Sequence, residues 1–208
     1  MTTPAASASP TPSATADPTG RPVAVFIGDS YTVGSGTSLE GTGFPAMLGE
    51  LRGWEVVNLG ISGTGYAMSR DAAWCPPGGC VAYAGVIPDA VGHDPDIVVV
   101  SGGRNDLAAG SPEQLAPAVV DFFTRLRAAL PEARIVVTSP LWDAPSPPQS
   151  LIDLGVIVER EANRIGAVYL DLGQPLENRP ELIAPDGLHP NEEGLRLIAE
   201  RIDALLPR

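Results

Sequence analysis

The sequence predicts a doubly wound α/β sandwich on a parallel sheet, and two observations carry that expectation. Five short Val- and Ile-rich runs, at residues 22–27, 54–59, 96–101, 133–139 and 166–171, are continuous rather than alternating, as suits strands buried on both faces. Helix-like segments at 43–52, 83–92, 112–130, 149–165 and 191–206 alternate with them. The helix at 112–130 opens on Ser111-Pro112-Glu113-Gln114, with Ser111 placed to cap and Pro112 at the first helical position. The last helix starts in the same manner: Asn191 is a natural cap, and Glu192 and Glu193 favour the positive end of the helix dipole. Leu195, Ile198, Ile202 and Leu205 then form an apolar stripe for which core packing is sufficient explanation. No internal repeat is present.

Length and composition bound the answer further. The 208 residues suit one catalytic-sized core, and 44% apolar against 18% charged residues is ordinary for a globular chain. The 13 basic residues, all Arg, face 25 acidic ones, giving a net charge of −12 that repels polyanions. Nucleic acid and anionic membrane surfaces are therefore poor partners. No apolar run is long enough for a transmembrane helix, and the N-terminus has neither a basic nor an apolar signal region.

Residues 1–20 are Ala, Ser, Thr, Pro and Gly with one Asp and Met1, a composition expected to form a disordered linker ahead of a folded domain at 21–208. Such tethers often follow a cleaved signal or a lipid anchor, which points to a secreted or cell-surface protein whose signal segment is replaced by Met1. Cys75 and Cys80 enclose Pro-Pro-Gly-Gly, a turn that brings them within disulfide reach and would imply an oxidising compartment. The alternative is a pair of free thiols in a cytosolic loop. Two cysteines without a nearby His do not complete a metal site.

In doubly wound sheets ligands bind outside the carboxyl ends of the strands, so each candidate residue is judged by where it falls relative to its strand. Ser30, in Gly28-Asp29-Ser30, comes three residues after the first strand, on a turn permitted by Gly28. By itself this is an ordinary strand-ending turn. A serine hydroxyl needs an imidazole base whose second nitrogen is held by a carboxylate. Of the two histidines, His93 precedes the third strand and falls at the amino edge, whereas His189 follows the last strand and precedes the last helix, on the side of Ser30. Asp186, three residues earlier, can reach the imidazole Nδ1. The plain alternative is a capping loop stabilised by an Asp–His pair. Two glycine-rich loops at the same edge, 58–65 and 102–106, can supply an oxyanion hole, the second offering the Asn105 side-chain amide.

Together these blocks resemble the SGNH subgroup of the GDSL hydrolase family over residues 25–190. Ser30 stands in a Gly-Asp-Ser block, Gly63 in an Asn-x-x-x-x-Gly block, Asn105 in a Gly-x-Asn-Asp block, and Asp186 and His189 in an Asp-x-x-His block. The resemblance implies a flavodoxin-like three-layer α/β/α sandwich with a five-stranded parallel sheet, and a Ser30–His189–Asp186 mechanism. It also implies an oxyanion hole from the Ser30 and Gly63 backbone N–H groups and the Asn105 amide, and no metal or organic cofactor. Tyr31 departs from the small aliphatic residue common at that position, and is expected to alter the pocket wall without touching the chemistry. Trp74 and Trp142 are further candidates to line the pocket, or else packing anchors.

The expected activity is hydrolysis of small acyl esters through an acyl-enzyme, with acetyl or short-chain esters of glycans as candidate substrates. Rivals are a lipase or lysophospholipase, an acyltransferase on the same triad, and a surface carbohydrate-binding module without turnover.

Overall fold

The computed structural model describes residues 20–207; the expected linker at 1–20 lies outside them except for Gly20. Five strands, β1 (Val23–Gly28), β2 (Glu55–Asn58), β3 (Ile97–Ser101), β4 (Arg134–Thr138) and β5 (Val168–Leu170), form one sheet in the order β2-β1-β3-β4-β5. Every pairing is parallel, with register set by pairs such as Val25–Val57 and Phe26–Val99.

The continuous apolar runs are explained by cover on both faces. Val25, Ile27, Val98, Val100, Ile135 and Val137 pack against α3 (Tyr83–Gly92), α4 (Pro112–Ala129) and α5 (Gln149–Arg164). Ala24, Phe26, Ile97, Val99 and Val136, pointing the other way, pack against α2 (Gly43–Arg52) and α6 (Glu192–Leu205). The expected three-layer, five-stranded parallel architecture is therefore the one observed. Each of the five expected helices is present, and the short α1 (Ser30–Val33) is an addition.

One local expectation needs adjustment. Asn191 caps α6, accepting from the Glu193 and Gly194 amides at 3.1 and 3.0 Å, but Leu205 is 37% exposed and the stripe closes instead with Leu206 at 4%. At α4 the expected cap is present as a capping box: the Ser111 side chain accepts from the Gln114 amide and the Gln114 side chain accepts from the Ser111 amide, while the Ser111 hydroxyl also donates to the Glu113 carboxylate.

The strand order reverses at β1: β2 lies on one side of it and β3, β4 and β5 on the other. The carboxyl ends of β1 and β3 thus flank the crevice that such a reversal creates. Into it lead the loops carrying Ser30, Gly63 and Asn105.

Candidate active site

Ser30 is the first residue of α1 and 7% exposed. Its placement depends on close packing at Gly28. A Cβ there would come within 2.0 Å of Thr32 Oγ1 and 2.4 Å of the Ser101 carbonyl, so β1 could not lie against β3 with any larger residue. Gly28 is needed for this approach; the left-handed glycine is Gly34, which ends α1 at φ +79°.

Asp29 caps α1, its Oδ1 accepting from the Tyr31 amide at 3.0 Å. Burial pushes its carboxyl up to about 6, against the opposing pull of the Tyr31 amide and the Arg104 charge. A folded value above the ordinary 3.8 means that protonation favours the folded state, so this share of stability is complete below pH 3.8 and is lost as pH rises through 6. Asp29→Asn keeps the capping oxygen and removes the charge. Its stability relative to the parent protein should rise by about 3 kcal/mol between pH 3.5 and pH 7, read from urea unfolding at both; an equal difference at the two pH values would refute the assignment.

His189 lies in a tightly bonded loop before α6. Asp186 Oδ2 meets His189 Nδ1 at 2.7 Å, and Asp186 Oδ1 accepts from the Leu188 and His189 amides at 2.9 and 3.0 Å. Gly187, at φ +72°, allows the reversal, and the Ala184 amide donates to the His189 carbonyl at 2.8 Å. Partial burial raises the Asp186 carboxyl, but the His189 ring and the two amides outweigh it and bring it down to about 2. Asp186 thus stays ionised and fixes the imidazole with Nε2 as its free nitrogen. His93 lies at the C-terminal end of α3, exposed and on the amino edge, as expected.

The two glycine-rich loops are bonded to each other. Asn105 Nδ2 donates to the Thr64 carbonyl at 3.0 Å, which occupies one of its two hydrogens and leaves the other for a ligand. Asp106, fully buried, accepts from the Tyr66, Ala67 and Met68 amides at 2.9, 2.8 and 2.9 Å. Gly63 takes φ +77°, and its carbonyl accepts from Arg70 Nε at 3.1 Å. Gly65 must lack a side chain, because a Cβ would fall 2.3 Å from Asp106 Oδ2.

Of the expected pocket aromatics, Tyr31 and Trp142 come together and Trp74 stands apart. Tyr31 is only 3% exposed, which corrects its reading as open pocket wall. Its ring meets the His189 ring edge-on at 6.2 Å, and its hydroxyl donates to the Leu188 carbonyl at 2.8 Å. Tyr31 thus touches the histidine loop as well as following the nucleophile turn. Trp142 lies over the Arg104 guanidinium at 4.4 Å. Trp74 is 71% exposed on the loop closed by the Cys75–Cys80 disulfide.

Sequence reasoning passed over Arg104 and Asp143, an ion pair at 3.3 Å whose side chains are 8% and 12% exposed. A basic residue within the glycine-rich block at 102–106 was the available signal. Among the described residues no hydrogen bond joins Ser30 to His189. Also among the described residues, no group of three or more His, Cys, Asp or Glu side chains is arranged to hold a metal ion, and no helix is long and apolar enough to cross a membrane.

A serine at the carboxyl end of the first strand, with an aspartate-held histidine before the last helix of an α/β/α sandwich, defines the class of a carboxylic ester hydrolase. Residues 26–197 match the GDSL-like Lipase/Acylhydrolase family, and the chain belongs to it. A GDSL lipase of Mycobacterium tuberculosis is 32% identical over 193 residues, covering 89% of this chain and 81% of the relative. Among solved structures, an esterase from a Pseudoalteromonas species aligns with a TM-score of 0.65 at 17% identity, over 88% of this chain and 95% of that one. A carbohydrate acetylesterase from Sinorhizobium meliloti aligns with a TM-score of 0.60 at 19% identity, over 88% of this chain and all of the other (100%). At these identities the structural likeness speaks for the fold.

Proposed function

We propose that Ser30, His189 and Asp186 form the triad of this ester hydrolase and that it acts on small acyl groups. The observation that carries the reading is the Asp186–His189 pair at 2.7 Å, in a loop that Tyr31 ties to the nucleophile turn. In the cycle, His189 Nε2 takes the Ser30 proton as Oγ attacks the ester carbonyl. The tetrahedral oxyanion is met by the Ser30 and Gly63 backbone N–H groups and by the second hydrogen of the Asn105 amide. Collapse expels the alcohol, which receives the proton from His189, and leaves the acyl group on Ser30. Water, deprotonated by the same histidine, then releases the acid.

The preference for small acyl groups is supported by the packed cluster of Tyr31, Arg104 and Asp143 beside the site, which leaves little room at that wall. Glycan esters are the natural alcohol partners to try, since a carbohydrate acetylesterase shares this fold. The Cys75–Cys80 disulfide supports a working place in an oxidising, extracytoplasmic compartment.

An ester panel tests the substrate class. On p-nitrophenyl acetate, butyrate and octanoate, kcat/KM is expected to fall at least about tenfold from acetyl to octanoyl, one tenfold step being only about 1.4 kcal/mol of lost transition-state binding. Acetylated sugars should release acetate. Fastest turnover on the octanoate would move the protein to the lipase class.

A further inference from the structure

The site contains a partly buried chain of contacts that the triad and the oxyanion donors do not use. Asp143 pairs with Arg104 Nη2 at 3.3 Å; Arg104 Nη1 donates to the Tyr31 hydroxyl; and that hydroxyl donates to the Leu188 carbonyl at 2.8 Å. The Arg104 guanidinium lies over two rings, 4.9 Å from the Tyr31 centroid and 4.4 Å from that of Trp142. Three of the four residues in the chain are one position from a group placed in the reaction. Tyr31 follows Ser30, Leu188 precedes His189, and Arg104 precedes Asn105.

The chemistry of the chain is directional. A phenol has one hydrogen to donate, and here it is used on Leu188, so whatever else bonds to the oxygen must be a donor. Arg104 meets that need, since its guanidinium carries only donors, and its fork binds the phenol and Asp143 at once. Burial pushes the Tyr31 phenol well up, so it remains a donor throughout. The histidine loop is already rigid within itself, through Asp186. What Asp186 does not set is the position of that loop relative to α1. A further side-chain bond nearby, from the Ser38 hydroxyl to the Glu192 carboxylate at the start of α6, lies on the exposed surface.

We infer that Tyr31 and Arg104 are positioning residues that set His189 in register with Ser30 by clamping the Leu188 carbonyl, and that the chain couples this register to the Asn105 loop. The inference rests on the triad reading and deepens it. Because misplacement of a base by about 1 Å is enough to cost 10²-fold in rate, a clamp acting one residue from the imidazole belongs to the rate and not to the binding of substrate.

The test is Tyr31→Phe, which keeps the ring and removes the hydroxyl. With p-nitrophenyl acetate, kcat is expected to fall about 10- to 100-fold while KM changes less than about threefold, and the rate of Ser30 phosphonylation by a fluorophosphonate probe should fall in parallel. Arg104→Met should produce the same split and Arg104→Lys should recover part of kcat. The double variant Tyr31→Phe/Arg104→Met should be no slower than the slower single one, as expected of residues acting as a unit. A kcat within twofold of the parent in Tyr31→Phe, a loss confined to KM, or losses that multiply in the double variant would overturn the inference. His189→Ala separates this from failure of the triad itself: undiminished kcat there would remove the base, and the clamp with it.

Discussion

Ser30→Ala should lower kcat on p-nitrophenyl acetate by on the order of 10⁴–10⁶, with the thermal unfolding midpoint unchanged within about 2 °C. The size of the effect follows from the chemistry. Without Oγ no acyl-enzyme forms, and what remains is the modest help of the oxyanion donors to direct attack by water. The small stability effect follows from the packing. Ser30 contributes a hydroxyl at the start of a four-residue helix whose cap is Asp29, and alanine keeps both the cap and the helical backbone. Steady-state rates are to be read beside labelling with a fluorophosphonate probe. Parent-like turnover in the variant would remove Ser30 from the mechanism, whereas loss of folding would show that the turn, and not the hydroxyl, is what Ser30 supplies.

The second large effect concerns stability. Asp106 is fully buried, and its two oxygens take the amides of Tyr66, Ala67 and Met68, three consecutive donors of the loop that follows Gly63. Burial raises its carboxyl, with the three amides acting against that rise, so the group is strained toward neutrality and is kept useful by its partners. Asp106→Ala leaves the three amides without an acceptor, and a buried orphan donor costs roughly 1–3 kcal/mol. Removing the buried carboxyl offsets part of this. The net loss should be about 3–5 kcal/mol, lowering the thermal midpoint of a chain of this size by roughly 10 °C or more. Asp106→Asn keeps an acceptor oxygen and should lose less. Activity should fall in the same order, because the loop it holds presents the Gly63 amide; calorimetry and p-nitrophenyl acetate kinetics on the two variants check both points, and an Asp106→Ala protein as stable as the parent would sink the account.

Family comparisons and sequence motifs agree on the fold and on the class of reaction, and the residues show why that much was legible. Continuous Val and Ile runs occur where a strand is covered on both faces, as β1, β3 and β4 are; the edge strands β2 and β5 were visible by the same kind of run although they are only half-buried. The choice of His189 over His93 needed only the rule that ligands gather at carboxyl ends, together with the order of strands and helices. Cys75 and Cys80 were legible as a possible pair because the Pro-Pro-Gly-Gly turn brings them within reach, but free thiols stayed open until the folded loop showed the bond.

Local pattern therefore determined, for this protein, the element order, the parallel sheet and the membership of the candidate triad, because burial periodicity and short motifs are properties of neighbouring residues. Only the tertiary structure decided the roles of Tyr31, Arg104, Asp143 and Asp106. Tyr31 and Leu188 are 157 positions apart, Tyr31 and Arg104 are 73 apart, and Asp106 and Tyr66 are 40 apart. No periodicity or spacing brings such residues together. They meet because a parallel sheet delivers the carboxyl ends of β1 and β3 and the loop before α6 to one edge, where a phenol, a guanidinium and two carboxylates bond to whatever the fold places beside them.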